Sequence, residues 1–205
     1  HEITIEPEPA DLFRHVDLYG NTQSYFHIVQ PHTRLIITST SVVSVDVNQL
    51  DSGALDLPWE QTSPRTRPDD PEAWEASDFT FSSRYVDLPS PIQDYARPSF
   101  PAGRPVGEAV VELMHRIHGD FTYKSGSTTL STKVSDLLKK RAGVCQDFAH
   151  VMVASLRSLG LAGRYVSGYL ATRPALGMPR QVEDAASHAW VGCWIPGAGW
   201  LYLDP

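Results

Sequence analysis

The chain has 205 residues, of which 41% are apolar and 20% charged, so it can bury one substantial core. Its net charge of −7 and pI near 5.5 argue against the basic surface that nucleic-acid-binding proteins present. No apolar run approaches the roughly 18 residues of a membrane helix. From the charge and from the lack of such a run, we expect neither a nucleic-acid nor a membrane partner.

Residues 1–50 are predicted to form a small antiparallel β-sheet or half-sandwich. The segments "EITIEP", "QSYFHIV" and "TRLIITSTSVVSVDV" are rich in residues that favour strands. Turn signals separate them at "YGN" and "QPH".

Residues 51–104 are predicted to be a proline-rich connector. Nine of the sixteen prolines lie between Asp51 and Pro105, a density that permits only short helices, for instance around "IQDYAR". The aromatic residues in "PWE", "EAW" and "FTFSSRYV" predict that the connector packs against a domain.

Residues 105–205 are predicted to form the core, beginning with helices. "VGEAVVELMHRIH" has apolar residues at helical spacing. "STKVSDLLKKRAG" has Ser and Thr at its start, basic residues in its last turn and Gly143 beyond, so the basic run complements a helix dipole. A third helix is predicted from Val144 to Leu159, with Gly160 ending it.

After these helices the pattern predicts strands. "GRYVSGYL" alternates as a strand, and "SHAWVGCWIPGAGWLYLD" predicts a hairpin that turns at "PGAG". One hairpin face is aliphatic and should lie in the core; the other is semi-polar. The aliphatic face comprises Ala189, Val191, Cys193, Ile195, Leu201 and Leu203, and the semi-polar face comprises His188, Trp190, Gly192, Trp194, Trp200, Tyr202 and Asp204.

Cys145 is the candidate nucleophile. It lies in the first turn of the predicted third helix, where unpaired N–H groups and the helix dipole favour a thiolate and can hold an oxyanion. The alternative is an inert buried thiol, because free cysteine is among the most buried residue types.

With Cys193 as the second cysteine, the chain has too few cysteines for a disulfide scaffold, which favours a cytoplasmic location.

His188 is the better candidate for the base. His150 lies five residues after Cys145, about 140° around the helix, so the two side chains diverge and His150 should pair with Asp147 or enter the core. In the hairpin, pairing Trp194 with Trp200 puts Asp204 diagonally next to His188, within hydrogen-bond reach. The carboxylate would then fix the imidazole while the imidazole serves the cysteine.

Two other classes of function are weighed. A catalytically silent module would use the aromatic hairpin face, with Trp190, Trp194, Trp200 and Tyr202, to hold a peptide. A metal protein would use Glu112, His115 and His118 of "ELMHRIH", but a full di-iron site requires a second such unit that the chain lacks. No P-loop, H-E-x-x-H, G-x-S-x-G or calcium loop is found, so we expect no cofactor.

The segments "GVCQDFAHVMVASLRSLGLAGRYVSGYL" and "SHAWVGCWIPGAGWLYLDP" resemble the core of bacterial transglutaminase-like proteins, relatives of papain-type cysteine peptidases. "DLYGN" and "PHTRLIITSTSVVSV" are similar to the β region that precedes that core. The chain differs from the family at Gly192, where members commonly carry an acidic residue.

The resemblance implies an α+β fold in which a cysteine-bearing helix packs on an antiparallel sheet, after a small antiparallel β domain. It implies a triad of Cys145, His188 and Asp204 and cysteine-dependent acyl transfer on amides of a peptide or protein substrate. Hydrolysis is the favoured outcome, with amine transfer, as in a transglutaminase, as the alternative.

Overall fold

The computed structural model describes residues 1–44, 51–170 and 187–205. The chain forms two compact units, His1–Asn48 and Gln49–Pro205, so the connector and the core lie in one unit. The finer boundaries at residues 50 and 104 stay predictions from composition. Within the described ranges, no helix is long and apolar enough to cross a bilayer.

The N-terminal unit consists of two antiparallel strand pairs, which confirms the predicted small β region. Strand β1 (Glu2–Glu6) pairs with β4 (Ile36–Thr40), and β2 (Asp11–Val16) pairs with β3 (Thr22–His27). The turn predicted at "YGN" joins β2 to β3, with Gly20 at a φ of 81°. Of the segment predicted as the third strand, β4 covers Ile36–Thr40, residues 41–44 lie outside any strand, and residues 45–47 lie outside the described ranges.

The second unit combines helices with a three-stranded antiparallel sheet. The sheet order is β7-β8-β9, and a short parallel pair, β5-β6, precedes it. The elements are α1 (Ser52–Leu55), α2 (Pro71–Ser77), α3 (Ser90–Ala96), α4 (Val106–Asp120), β5 (Thr122–Tyr123), α5 (Val134–Lys140), β6 (Ala142–Gly143), α6 (Cys145–Ser158), β7 (Gly163–Tyr169), β8 (Ser187–Ile195) and β9 (Gly199–Leu203).

Helix α6 is the central element of the core. It packs against α3, α4 and α5 and against strands β7 and β8. Its residues Val151, Met152 and Leu156 are fully buried. The helix ends as predicted, because the N–H groups of Gly160 and Leu161 donate to the carbonyls of Arg157 and Leu156 in a Schellman arrangement, with Gly160 at a φ of 80°.

Both faces of the β8–β9 hairpin are covered in part. The aliphatic face lies in the core as predicted, with Leu201 half-buried at its edge. On the opposite face, the connector helix α2 covers Trp194 with Ala73 and Ala76, and Phe79 packs edge-on against Trp200. Residues of the connector therefore pack against the hairpin. In the alternative of a peptide-binding module, Trp194 would line the groove, but it is only 2% exposed.

Helix α5 begins and ends differently from its prediction. Its N-terminus carries no Ser or Thr cap; instead, Val134 N–H donates to the carboxylate of Asp87, 3.0 Å away in the connector. Its C-terminal left-handed residue is Arg141, at a φ of 52°, rather than Gly143. The Arg141 guanidinium donates to the Leu138 carbonyl and stacks on Phe121, and these contacts stabilise the unusual backbone.

Candidate active site

The backbone before Cys145 is held by one buried carboxylate. Val144 is extended (φ −120°, ψ 178°), and helix α6 starts directly after it. Asp147, 2% exposed, accepts hydrogen bonds from Val144 N–H at 2.8 Å and from the Thr128 hydroxyl at 2.6 Å. This is the acidic half of a capping box, and it fixes the first turn of the helix that carries the cysteine.

Gly143 is required by the close approach of Asp147. A β-carbon at residue 143 would lie 2.6 Å from both Cβ and Oδ2 of Asp147. The backbone of Gly143 also pairs with β5, since the Lys124 N–H donates to its carbonyl at 2.8 Å. The glycine therefore serves the capping of α6 rather than the end of α5.

The first turn of α6 presents two unused backbone donors. The N–H groups of Asp147 and Phe148 both donate to the Val144 carbonyl. Those of Cys145 and Gln146 find no acceptor among the residues that the structure describes. Two such donors beside a half-buried thiol form the arrangement that stabilises an oxyanion during attack on a carbonyl.

The hairpin has the predicted register, with Trp194 opposite Trp200. His188 and Asp204 consequently meet: the ring nitrogen Nε2 lies 2.9 and 2.8 Å from the two carboxylate oxygens. The other ring nitrogen, Nδ1, has no hydrogen-bond partner within the described ranges. A proton held between Nε2 and Asp204 leaves Nδ1 as the basic nitrogen.

Trp190 orients the His188 ring from one side. The two rings stack with centroids 6.2 Å apart and planes 24° apart. The indole in turn lies over Gly168 of β7, where a β-carbon would come within 2.6 Å of the indole atom Cη2. Gly168 pairs with His188 in the sheet, so this glycine makes room for the aromatic ring that supports the histidine.

The structure joins two of the three predicted site residues directly and positions the third on a neighbouring element. His188 and Asp204 are hydrogen-bonded, and Cys145 begins the helix that packs on β7 and β8. No hydrogen bond links the Cys145 thiol to the His188 ring in the structure. Thiol–imidazole bonds are often long without substrate and tighten in the complex.

His150 lies in the core, on a side of α6 different from that of Cys145. Core burial was one of the two outcomes expected for it from the sequence. Its side chain is 6% exposed and its ring centroid lies 5.3 Å from that of Tyr165. Burial lowers the pKa of His150, opposed by the charge of Asp147. The expected pairing with Asp147 is absent, because that carboxylate is committed to Val144 and Thr128.

The two cysteines differ sharply. Cys145 is half-buried, whereas Cys193 is completely buried on the core face of β8, and burial raises the pKa of its thiol to about 12. Neither forms a disulfide. Only Cys145 is suited to nucleophilic chemistry near neutral pH.

Glu112, His115 and His118, considered above as part of a metal site, do not belong to a group of metal ligands in the described part of the chain. The Arg104 guanidinium forms an ion pair with the Glu112 carboxylate. Within the described ranges, no three His, Cys, Asp or Glu side chains converge as metal ligands do.

Three residues that shape the site were missed from the sequence. The role of Asp147 could have been predicted, because an acidic residue at the third position of a helix is typical of a capping box. Thr128 and Tyr165 had none, because they approach α6 from a distant loop and from β7. Burial raises the pKa of the Tyr165 hydroxyl, with further contributions from the charges of Cys145 and Asp147.

The glycine at residue 192 also has a local explanation. A β-carbon there would lie 3.1 Å from Cγ of Arg164 and 3.2 Å from Cε3 of Trp200. The Arg164 guanidinium stacks over the Trp200 ring at 4.1 Å. The space that a side chain at residue 192 would fill is occupied by this pair.

Family comparisons agree with this architecture. The transglutaminase-like superfamily profile matches residues 93–205, and that of the bacterial transglutaminase-like N-terminal region matches residues 1–44. A Mycobacterium tuberculosis protein is 44% identical over 212 residues, covering 100% of this chain and 66% of its own length. The chain thus spans just under two thirds of that relative.

Two further comparisons concern named proteins. A protein-glutamine gamma-glutamyltransferase of Pseudomonas aeruginosa is 34% identical over 101 residues, which is 47% of this chain and 15% of that protein. A crystal structure from Cytophaga hutchinsonii, of a protein proposed to be a cysteine protease, matches 99% of this chain and 63% of its own with a TM-score of 0.65. At 22% identity this second likeness shows the fold alone.

Proposed function

The chain belongs to the transglutaminase-like superfamily, and on that premise we propose that it is a cysteine-dependent enzyme that hydrolyses an amide of a peptide or protein. Cys145 is the nucleophile, His188 the general base and acid, and Asp204 the residue that orients His188. The observation that carries the proposal is the His188–Asp204 hydrogen bond at 2.8 Å beside a helix that begins at a half-buried cysteine.

The reaction has two halves. In the first, Nδ1 of His188 takes the thiol proton, the Cys145 sulfur attacks the carbonyl, and the N–H groups of Cys145 and Gln146 stabilise the oxyanion. The imidazolium then donates its proton to the leaving amine, and a thioester remains. In the second half, His188 takes a proton from the water that attacks the thioester; the C–S bond then breaks, the free acid is released, and the imidazolium returns its proton to the Cys145 sulfur.

We favour hydrolysis over amine transfer because the two carboxylates nearby, those of Asp147 and Asp204, already have hydrogen-bond partners. A lysine ammonium is bound best by a carboxylate that has no other partner. Asp147 is engaged by Val144 and Thr128, and Asp204 by His188. The described part of the site therefore offers neither of these two carboxylates to an incoming ammonium group.

Amine transfer is the second candidate. The observation in its favour is the 34% identity to a protein-glutamine gamma-glutamyltransferase over 101 residues. Both reactions share the Cys145 thioester, and they differ only in the nucleophile that resolves it.

The test is to follow the products from peptides that contain glutamine and from peptide amides, with and without added glycine methyl ester as an amine. We expect free acid in both conditions, no product from Cys145→Ala, and full activity in Cys193→Ser, the matched control for a thiol outside the site. Turnover that survives in Cys145→Ala would disprove the proposal. An amine adduct formed without free acid would favour the second candidate.

A further inference from the structure

A cavity of about 340 Å³ opens beside the start of α6, and the side chains that line it have no part in the proposed reaction steps. Its lining comes from the loop before α3, the loop before α5, the α6 helix and strand β7. The lining residues used below are Tyr85, Val86, Leu130, Gln146, His150 and Tyr165.

The cavity is linked to the nucleophile through Gln146, which lines it. Gln146 directly follows Cys145, and His150 lies one helical turn further along the same face of α6. Tyr165, on strand β7, lies across from His150, with the two ring centroids 5.3 Å apart. A substrate whose carbonyl reaches Cys145 therefore has a neighbouring group beside this cavity.

The size and the walls of the cavity restrict its occupant. Ligand-binding pockets commonly enclose about 300 to 1,000 Å³, so 340 Å³ suits one large side chain rather than a length of peptide. Tyr85, Val86 and Leu130 present apolar surface to it, and the Tyr165 ring adds an aromatic face. These surfaces favour a flat apolar or aromatic group.

His150 gives the cavity a polar end. Its side chain is 94% buried, since only 6% is exposed, and neither ring nitrogen has a hydrogen-bond partner within the described ranges. The ring nitrogens keep some access to solvent, and since His150 lines the cavity they can form a hydrogen bond with a ligand there. Among the other polar groups that line the cavity, the Arg157 guanidinium is already engaged by the carbonyls of Gly163 at 3.0 Å and Phe81 at 2.8 Å.

We propose that this cavity binds a hydroxylated aromatic side chain of the acyl donor, as in a tyrosine residue, with its hydroxyl hydrogen-bonded to His150. The proposal rests on the proposed function, because it assigns the cavity to the substrate of that site. A hydroxyl both donates and accepts, and a neutral imidazole offers one donor and one acceptor. Burial lowers the pKa of His150, so its ring is neutral at pH 7 and suits an uncharged partner.

The test compares two ligands that differ by one hydroxyl, N-acetyltyrosinamide and N-acetylphenylalaninamide. Their dissociation constants are measured by NMR titration of the Cys145→Ala protein, so that no reaction occurs. We expect the tyrosine ligand to bind about tenfold more tightly than the phenylalanine ligand, the worth of one buried hydrogen bond. Resonances of Gln146 and Tyr165 should shift on binding.

Variants of His150 test the hydrogen bond itself. His150→Leu should reduce the preference to about onefold while phenylalanine binding persists, and His118→Leu, on the exposed face of α4, should keep the full preference. If His150→Leu does not fold, His150→Gln, which keeps a donor and an acceptor, should retain part of the preference. Equal affinities for the two ligands in the Cys145→Ala protein, or the binding of neither at millimolar concentration, would overturn the proposal.

Failure of this inference is distinguishable from failure of the proposed function. Tyrosine-selective binding in a protein that shows no Cys145-dependent turnover would disprove the function and leave the cavity assignment standing. Cys145-dependent turnover without selectivity for tyrosine over phenylalanine would disprove the cavity assignment alone.

Discussion

The surroundings of His188, at the start of β8, differ from those of His150, in the middle of α6. The His188 ring is bonded to the half-exposed carboxylate of Asp204 and supported by Trp190, with Nδ1 unengaged. The His150 ring is buried against Tyr165, and neither of its nitrogens is bonded within the described ranges. The carboxylate bonded to His188 stabilises its charged form, whereas at His150 the effect of burial outweighs the charge of Asp147.

The difference shows why sequence proximity to a nucleophile is a poor guide to a base. His150 is five residues from Cys145 but projects from another side of the helix, whereas the hairpin register brings His188 to Asp204. A general base must become protonated and be stabilised in that state, and Asp204 supplies this for His188. Burial disfavours the charged form of His150 and outweighs the opposing charge of Asp147, which is not hydrogen-bonded to the ring.

The largest expected effect separates the two histidines by reactivity. His188→Ala should slow the labelling of Cys145 by iodoacetamide at neutral pH, and amide turnover, by a factor of about 100 to 10,000, because the base is lost. His150→Gln should change labelling by less than about threefold, since its ring does not take part in the proposed proton transfer. Intact-protein mass spectrometry in a Cys193→Ser background measures the labelling.

The control for a generic loss of a histidine is His118→Ala, on the exposed surface of α4. It should label at the wild-type rate. If His150→Gln slowed labelling as much as His188→Ala, the contrast between the two histidines would be wrong.

The second prediction concerns the carboxylate that distinguishes His188. Asp204→Asn keeps the size of the side chain but replaces the anionic acceptor, so the imidazolium loses its partner and the ring loses its fixed tautomer. We expect turnover to fall by about 100-fold or more, with little change in thermal stability, because Asp204 is 52% exposed. Turnover within a few-fold of wild type would show that Asp204 does not act through His188.

Much of the His188 region was predictable because its pattern is periodic. Alternation of apolar residues along β8 and β9, with a short turn, leaves few registers that bury the aliphatic face, and one of them pairs Trp194 with Trp200. Helix α6 was equally clear from its apolar spacing and from Gly160.

The His150 region was less predictable because it depends on contacts between distant segments. Tyr85 and Leu130 reach the cavity from loops, and no local pattern places a loop against a helix face. The covering of Trp194 by α2 is of the same kind. Strand β2 escaped prediction for another reason: its side chains are all exposed, so its sequence carries no alternation of burial.

The third prediction tests the start of α6, the helix that carries both Cys145 and His150. Gly143→Ala should lower the free energy of unfolding by about 1 to 3 kcal/mol, because the new methyl group would overlap Asp147 and disturb the first turn of α6. Gly119→Ala is the matched control, since a β-carbon there meets nothing within 4 Å, and alanine favours a helix by about 0.5 to 1 kcal/mol. Chemical denaturation measures both. Equal stability of the two variants would mean that Asp147 can move without cost.

The smallest expected effect is the pH dependence that burial gives to His150. Its pKa in the folded protein is lowered from 6.5, so the unfolded chain binds the proton more readily as the pH falls through 6.5. The resulting contribution to stability is fully present above pH 6.5 and is lost as the pH falls toward the lowered pKa. The free energy of unfolding of the wild type should therefore decrease relative to that of His150→Gln between about pH 7.5 and pH 5.5. Chemical denaturation of the two proteins across this range measures the difference between their free energies of unfolding. The contributions of the other titrating groups largely cancel in this difference. A difference that stays constant or changes in the opposite direction would show that the His150 ring is not held neutral by burial.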